Sequence, residues 1–479
     1  MSTKTTYTHR LVARVTIESQ TPLAVGSGEK DITTDALVIK DFNGLPYIPG
    51  TAIAGILRHA IGEKTAKEFF GKHEEKSENS RGSEIIFSEA KMIGSDGKVI
   101  DGLHSIDFEN NPFYAKFKEL PIRQHAKITD KGITAKGGKF DEQVVYQGTR
   151  FDFEIEMVSE DNGKDKSPKK LDDFLCVLRE LNSQTLRIGS GTRCGFGKIK
   201  VKNIVWRKFD LSNPNDLKDY INKSSDLSQP FSGDKFVEET SSDKWTTYEL
   251  ILQPEDFFLF GSGFGDDEVD MTPVKEETID WDENDKPVFT KNNNDEFTKF
   301  VLIPATSLKG AIAHRTAYHY NRLKQRYVDG SNPDKTPKVG SESEVVRALF
   351  GYESQDERVQ KRGSVIFNDV IQYILPDKIL NHVSIDRFTG GAIDSALFDE
   401  KTTFGNGKSF KTEILVEKAA FNEDAAFKEA FETALKDIID GLLPLGGGVN
   451  RGNGCFGGSV EEVNGTFNHK REVEKWKQQ

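Results

Sequence analysis

Two stretches of this chain share a frame of glycines, G-x-G-x-x-x-G-x-G, and no other feature of the sequence restricts the backbone as much. The first is G-S-G-T-R-C-G-F-G over Gly189–Gly197; the second is G-G-G-V-N-R-G-N-G over Gly446–Gly454. Glycines at such spacing permit positive φ and let the backbone approach another backbone, or a phosphate, with no Cβ in the way. Each frame carries an arginine, Arg193 and Arg451, and each follows an amphipathic helix candidate. One glycine motif is a weak signal, whereas the same frame repeated about half a chain later points to duplication.

Three further landmarks recur in the same order. G-S-G stands at Gly26–Gly28 and again at Gly261–Gly263. I-P-G-T at Ile48–Thr51 returns as I-P-A-T at Ile303–Thr306, each with a histidine beyond it, His59 and His314. Phe70-Gly71 with Arg81–Ser83 returns as Phe350-Gly351 with Arg362–Ser364. Length alone would divide the chain into roughly three domains; the repeat divides it into two, spanning 1–208 and 245–465. Residues 209–244 are rich in Ser, Asp, Asn and Lys with little apolar periodicity, and read as a linker. Residues 466–479 form a C-terminal tail, and an insertion around Val274–Lys299 lengthens the second unit.

Within a unit, Arg10–Glu18 and Gly148–Met157 alternate as half-buried strands, and Thr246–Leu252 is a strand of the second unit. Thr51 is the expected N-cap of a helix whose apolar face is Ile53, Ile56, Leu57, Ala60 and Ile61. A second helix over Ser167–Asn182 places Leu171, Phe174, Leu175 and Leu178 together. Arg123–Tyr146 reads as a long hairpin with turn residues inside it. The order is that of an α+β fold, two tandem βαββαβ units with helices on one face of each sheet.

The net charge of -12 argues against a freely acting nucleic-acid binder, since phosphate binders usually carry a basic footprint. The charge is uneven: Asp266–Asp285 is acid-rich, and basic residues gather in Lys116–Lys139. No P-loop occurs, and neither H-E-x-x-H nor C-x-x-C supplies a zinc set. No apolar run reaches membrane length, and the N-terminus lacks the core of a signal peptide. The expectation is a soluble cytoplasmic protein without a membrane partner.

The ordered landmarks G-S-G, I-P-G-T-x-x-x-G-x-x-R, F-G with R-G-S, and the closing glycine frame resemble the RAMP superfamily. Within it they resemble the Cas-seven-like backbone subunits of type III CRISPR effector complexes, here as a tandem fusion of the type III-D-like kind. Ala305 and Ala313 stand where the second landmark has glycine and arginine. The resemblance implies two modified RNA-recognition-motif (ferredoxin-like) domains, each with a thumb-like β-hairpin insertion. It implies CRISPR RNA, target single-stranded RNA and other type III effector subunits as partners, and cleavage of paired target RNA beside nucleotides displaced by the thumb.

In cleaving members of that family an aspartate in the loop after G-S-G does the cutting. That position falls on Asp35, with Asp31 as second candidate, and on Asp270 in the second unit, where Asp266 and Asp267 blur the match. Asp35 is also the possible ligand of Mg²⁺ or another divalent cation, since a lone carboxylate with water ligands suits a hard cation. From the residues alone, these aspartates are equally ordinary solvated carboxylates. RNA contact is expected from Gly26, Ser27, Gly28, Thr51, Arg58, His59, His125, Lys127, Gly189, Gly191, Arg193 and Gly195 in the first unit. In the second it is expected from Gly261, Gly263, Ser307, Lys309, His314, Arg387, Phe388, Gly446, Gly448, Arg451 and Gly452. Two alternatives stand beside target cleavage: a non-cleaving RNA-binding scaffold, and a guide-processing endoribonuclease that relies on a histidine such as His59 or His125.

Overall fold

The computed structural model describes residues 7–72, 80–163, 167–238, 243–291, 297–328, 336–352 and 360–473. In the first unit the strands run Ile85–Phe87, Arg150–Ser159, His9–Ser19, Ile199–Asp210, Asp234–Lys235, every pair antiparallel. The second unit repeats this order as Val365–Ile366, Phe410–Glu417, Trp245–Pro254, Phe456–Glu462, Asn468–Arg471. The first strand of each unit is therefore central, with the third on one side and the fourth on the other.

Two helices per unit cover one sheet face. Leu171–Leu181 buries Phe174, Val177, Leu178 and Leu181, and Gly50–Ile61 buries Ile53 and Leu57. In the second unit the helices are Ala305–Leu323 and Ala425–Ile439, the latter burying Phe427, Phe431, Leu435 and Ile438. These spacings of three and four residues are the helical stripe that packs on a sheet. Thr51 is not the N-cap: the helix starts at Gly50, Pro49 occupies the capping position, and no side chain caps it. Proline's fixed φ and missing N–H suit that entry. A Cβ on Gly50 would meet the Phe87 carbonyl oxygen at 2.3 Å, which is why the chain turns in there on glycine.

The other sheet face differs between the units. Trp245–Pro254 alternates strictly between buried and half-buried side chains, as a one-sided sheet requires. His9–Ser19 is buried on both sides along Leu11–Val15. The cover is the segment expected to be a linker. It holds a helix, Pro214–Asn222, capped by Asn213, and the strand Asp234–Lys235. Arg14 donates to the Ser224 and Gln229 carbonyls at 2.6 and 2.5 Å, and Tyr220 donates to Glu156 at 2.7 Å. Polar partners supplied by the sheet, rather than an apolar stripe, dock this segment, so no periodicity announced it. The expected tail also departs from the sequence reading: Asn468–Arg471 pairs with Phe456–Glu462, while 474–479 lie outside the described residues.

The insertion of the second unit packs into the first. Lys275–Glu276 pairs with Phe300–Ile303, and Ile279–Trp281 pairs with Pro287–Phe289. Phe289 is buried with ring centroids 4.9 Å from Tyr146 and 5.7 Å from Phe113. The Arg150 guanidinium lies 3.8 Å from the Trp281 ring centroid, and Trp281 Nε1 donates to the Gly148 carbonyl at 2.8 Å. The two units are thus clasped by aromatic burial as well as joined by the chain. Phe289→Ala should destabilise the first unit by about 3–5 kcal/mol, the usual loss for a buried phenylalanine. Denaturant unfolding of the full chain, followed with probes in each unit, measures this.

Candidate functional site

In each unit the G-S-G segment opens a loop that doubles back on itself. Ser27 N donates to Leu37 O at 2.9 Å, and Ser262 N donates to Thr272 O at 2.8 Å. Four residues beyond each serine, an aspartate makes the turn. Asp31 Oδ1 accepts from Thr33 N, Thr33 Oγ1 and Thr34 N; Asp266 Oδ1 accepts from Glu268 N and Val269 N. The bonds from Thr33 hold the Asp31 carboxyl below its ordinary range, and those from Lys401 and Glu268 do the same for Asp266. Asp31 therefore shapes the loop, and its carboxylate is already engaged.

Asp35 and Asp270 stand four residues further on, exposed, at equivalent places. Each is tied to the hairpin of its own unit by a reciprocal pair of bonds. Asp35 N donates to Asp141 Oδ1 at 2.8 Å, and Asp141 N donates to Asp35 Oδ2 at 3.2 Å. Asp270 N donates to Asp399 O at 3.0 Å, and Asp399 N donates to Asp270 Oδ2 at 3.1 Å. The hairpins are Ile122–Ile128 with Thr134–Gln143, and Asp377–Ile385 with Ala392–Phe404. Both candidate carboxylates thus lie at the base of a long hairpin.

The base itself repeats. His125 stacks on Phe140 at 4.8 Å and 17°, and His382 stacks on Phe398 at 4.9 Å and 22°. His125 Nε2 lies 3.0 Å from Glu142 Oε1, and His382 Nε2 lies 3.1 Å from Glu400 Oε1. Sequence reasoning missed Asp141, Glu142, Asp399 and Glu400. The signal was present as F-D-E at Phe140–Glu142 and again at Phe398–Glu400. It went unread because three residues inside a hairpin carry no periodicity.

The glycine frames pack closely against their own units. The four glycines at the frame positions of each have positive φ, from 61° at Gly191 to 112° at Gly195. A Cβ on Gly189 would sit 2.3 Å from Ala24 O, and one on Gly446 would sit 2.4 Å from Leu259 O. Each frame is thus pressed against the segment leading into G-S-G. Gly191 lies against the Phe196 ring and Gly448 against the Asn453 side chain, while a Cβ on Gly452 would meet open space.

Both frame arginines have partners within the protein. Arg193 Nε donates to Gly363 O of the second unit at 3.0 Å, and its guanidinium lies 5.6 Å from the Trp245 ring. Burial, with Arg362 nearby, pushes its pKa down to about 10. Arg451 pairs with Glu400, whose side chain is fully buried, and stacks 5.3 Å over Phe398. A buried carboxylate must find a cation, and Arg451 supplies it. Gly195 also faces the joint, against Asp369 and Ala305 of the second unit. His125 is buried beneath Phe140, so solvent does not reach it freely.

The remaining predicted residues stay accessible in part. Gly26, Gly28 and Gly261 have room beside them, whereas Gly263 packs on Gln124 of the first unit. Ser27 and Ser262 hydroxyls bond within their own loops. Thr51 and His59 are exposed; Arg58, Ser307 and His314 are half-buried. Lys309 Nζ approaches Cys194 Sγ at 3.5 Å, beside the first frame. Lys127, Lys131, Lys136 and Lys139 are exposed along the first hairpin. Arg387 and Phe388 occupy the turn of the second, where Phe388 is 95% exposed and Asp386 holds the turn by accepting from Phe388 N and Thr389 N. Among the described residues no group of three or more His, Cys, Asp or Glu is placed to hold a metal ion.

The RAMP superfamily model matches residues 16–200 and, separately, 258–457. The chain belongs to the RAMP superfamily. Its two matched regions coincide with the two sheets, so this is a tandem RAMP protein with a CRISPR-associated, RNA-binding role. No curated protein matches the chain. Among the described residues no helix is long and apolar enough to cross a membrane.

Two measurements check this geometry. Arg451→Ala leaves Glu400 buried with only His382 and Asn453, and should destabilise the second unit by about 3–5 kcal/mol in denaturant unfolding. The depressed carboxyls of Asp31 and Asp266 contribute to loop stability above their unfolded values, and that contribution is lost as pH falls through the folded ones. A carboxyl NMR titration should place both midpoints below those of the same residues in unfolded peptides.

Proposed function

We propose that this chain is a fused backbone subunit of a type III CRISPR effector complex that binds CRISPR RNA and cuts the paired target RNA. Each unit is then a modified RNA-recognition-motif domain, and each long hairpin is a thumb. The observation that carries the reading is the duplicated seat of Asp35 and Asp270. In both units an exposed aspartate follows G-S-G and is bonded to the base of a projecting hairpin. A hairpin that displaces a nucleotide would leave the neighbouring phosphodiester beside that carboxylate.

The chemistry needs little from the protein. A 2′-hydroxyl held in line attacks the adjacent phosphorus, its proton passes to a base, and the 5′-oxygen leaves and is protonated from solvent. Asp35 Oδ2 is occupied by Asp141 N, which orients the carboxylate and leaves Oδ1 to act. A positioned carboxylate of this kind contributes ~10²–10⁴-fold as a general base. The oxygen donors also fit a hard divalent cation: Asp35 and Asp270 are exposed, and Asp399 Oδ1 is buried without a hydrogen-bond partner. Asp35 would hold Mg²⁺ in the first unit, and Asp270 with Asp399 in the second, with water completing the shell. Such a cation would neutralise charge developing on the phosphate.

Guide RNA contact is assigned to the exposed helix start around Thr51 and Gly55, to Arg58 and Lys309, and to the lysines of the first hairpin. Helix N-termini favour phosphate, and such contacts hold the backbone without reading bases. Delegating sequence recognition to base pairing accommodates the acidic total charge, because only the groove has to be basic. His125 is poorly placed to serve a guide-processing nuclease, since it is buried, stacked and beside Glu142.

Cleavage of labelled target RNA by the assembled complex with Mg²⁺ tests the reading. Asp35→Ala and Asp270→Ala should each remove a distinct product by at least about a hundredfold while guide binding persists. Survival of all products in the double variant of an intact complex would make the protein a non-cleaving scaffold.

A further inference from the structure

We infer that Arg123 is a positioning residue for the Asp35 site, so that the second unit sets the geometry of the first unit's site. The inference rests on reading Asp35 as the cleaving group. Arg123 lies at the base of the first hairpin, with its side chain only 5% exposed. Nη1 donates to Asp369 Oδ2 at 2.8 Å, Nε donates to Glu276 Oε1, and the guanidinium lies 5.2 Å from the Phe196 ring. Both carboxylates belong to the second unit. Asp369 is itself held, because its Oδ1 accepts from Ala305 N at 2.7 Å where the helix Ala305–Leu323 begins. A planar guanidinium clamped by two fixed carboxylates has little freedom.

The anchor connects to the site through one strand. Gln124, the next residue, points to the opposite face of the hairpin, as strand alternation requires. Its Nε2 donates to Asp141 Oδ2 at 3.1 Å, and Asp141 Oδ1 accepts from Asp35 N at 2.8 Å. Gly263 of the second unit packs against the Gln124 side chain, which fixes that link from outside. A continuous series of contacts therefore runs from Asp369 through Arg123, Gln124 and Asp141 to Asp35.

The second unit serves as the internal comparison. Arg123 is cross-strand to Glu142, and the residue cross-strand to Glu400 is Leu380. Leucine makes no ionic anchor, Asn381 replaces Gln124, and Asp399 Oδ1 is left without a partner. The same scaffold thus holds one site from a neighbouring unit and, among the described residues, leaves the other without that support. Two further joint contacts lie away from the hairpin. Arg187 Nη2 donates to Asn368 Oδ1 at 2.9 Å, and Arg193 donates to Gly363 O, both from the glycine-frame side.

The test uses the full chain carrying Arg123→Leu, Glu276→Gln and Asp369→Asn together, so that no buried charge is stranded. Asn368→Ala is the joint control. Amide hydrogen exchange is read first, and it needs no RNA. In the triple variant, residues 122–126 and 140–143 should exchange at least tenfold faster, with 377–404 unchanged and the control like wild type. In the assembled complex, the Asp35-dependent product should fall at least tenfold relative to the Asp270-dependent one. Unchanged exchange in the first hairpin overturns the inference. So does faster exchange with an unchanged product ratio, or an equal fall of both products, which marks a general structural role. If wild type yields no Asp35-dependent product, the cleavage reading fails separately, and the exchange result alone decides whether Arg123 holds the hairpin.

Discussion

Each unit depends on a backbone packed against a backbone at a distance no side chain permits. Ser190 N donates to Ala24 O at 2.7 Å, and Gly197 N donates to Pro22 O at 2.9 Å. Gly447 N to Leu259 O and Gly454 N to Phe257 O repeat the pair at 2.6 and 2.8 Å. These bonds fasten the glycine frame to the segment that runs into G-S-G. The frame also feeds the fourth sheet strand, so that strand, the loop with the aspartate and the hairpin base are brought together by one contact. Glycine is required because the loop needs positive φ as well as a missing Cβ. The frame therefore builds the site from beneath, while Gly189, Gly446 and Gly452 stay exposed.

From that common scaffold the units diverge by side chains. The first spends its frame arginine on the joint, leaving Phe140 half-exposed and Glu142 with His125 and a long contact to Ser190. The second turns its arginine inward onto Glu400 and Phe398. The first hairpin carries exposed lysines among Ile128, Ile133 and Phe140, while the second exposes Ile385, Phe388, Ile393 and Leu397. A basic hairpin suits phosphates, and an apolar one suits bases or a protein surface. Duplication has preserved the backbone geometry and released the surface chemistry.

Much of the architecture was legible because it rests on local signals. The strands, the helices and both hairpins follow from alternation, helical stripes and turn residues. Asp35 and Asp270 were singled out by the resemblance, through their place after G-S-G. The segment around Tyr220 and Ser224 was not, because it docks through charge and main-chain bonds to Arg14 and Glu156. The insertion reads as an acidic loop, yet Phe289 and Trp281 are core residues of the other unit. Contacts of that kind leave no period in a sequence.

The sequence by itself determined that the chain is a tandem α+β repeat, where its glycines must turn, and which aspartates lie after each G-S-G. Those facts depend on backbone stereochemistry and on neighbours close along the chain. Only the tertiary structure decided that Arg193 faces the other unit, that Arg451 neutralises a buried glutamate, and that Asp141 and Asp399 hold the candidate carboxylates. An arginine in a loop looks the same to sequence reasoning whether it meets phosphate, glutamate or a carbonyl. Burial and the charge brought beside it make the choice, and both exist only once residues far apart in the chain have been packed together.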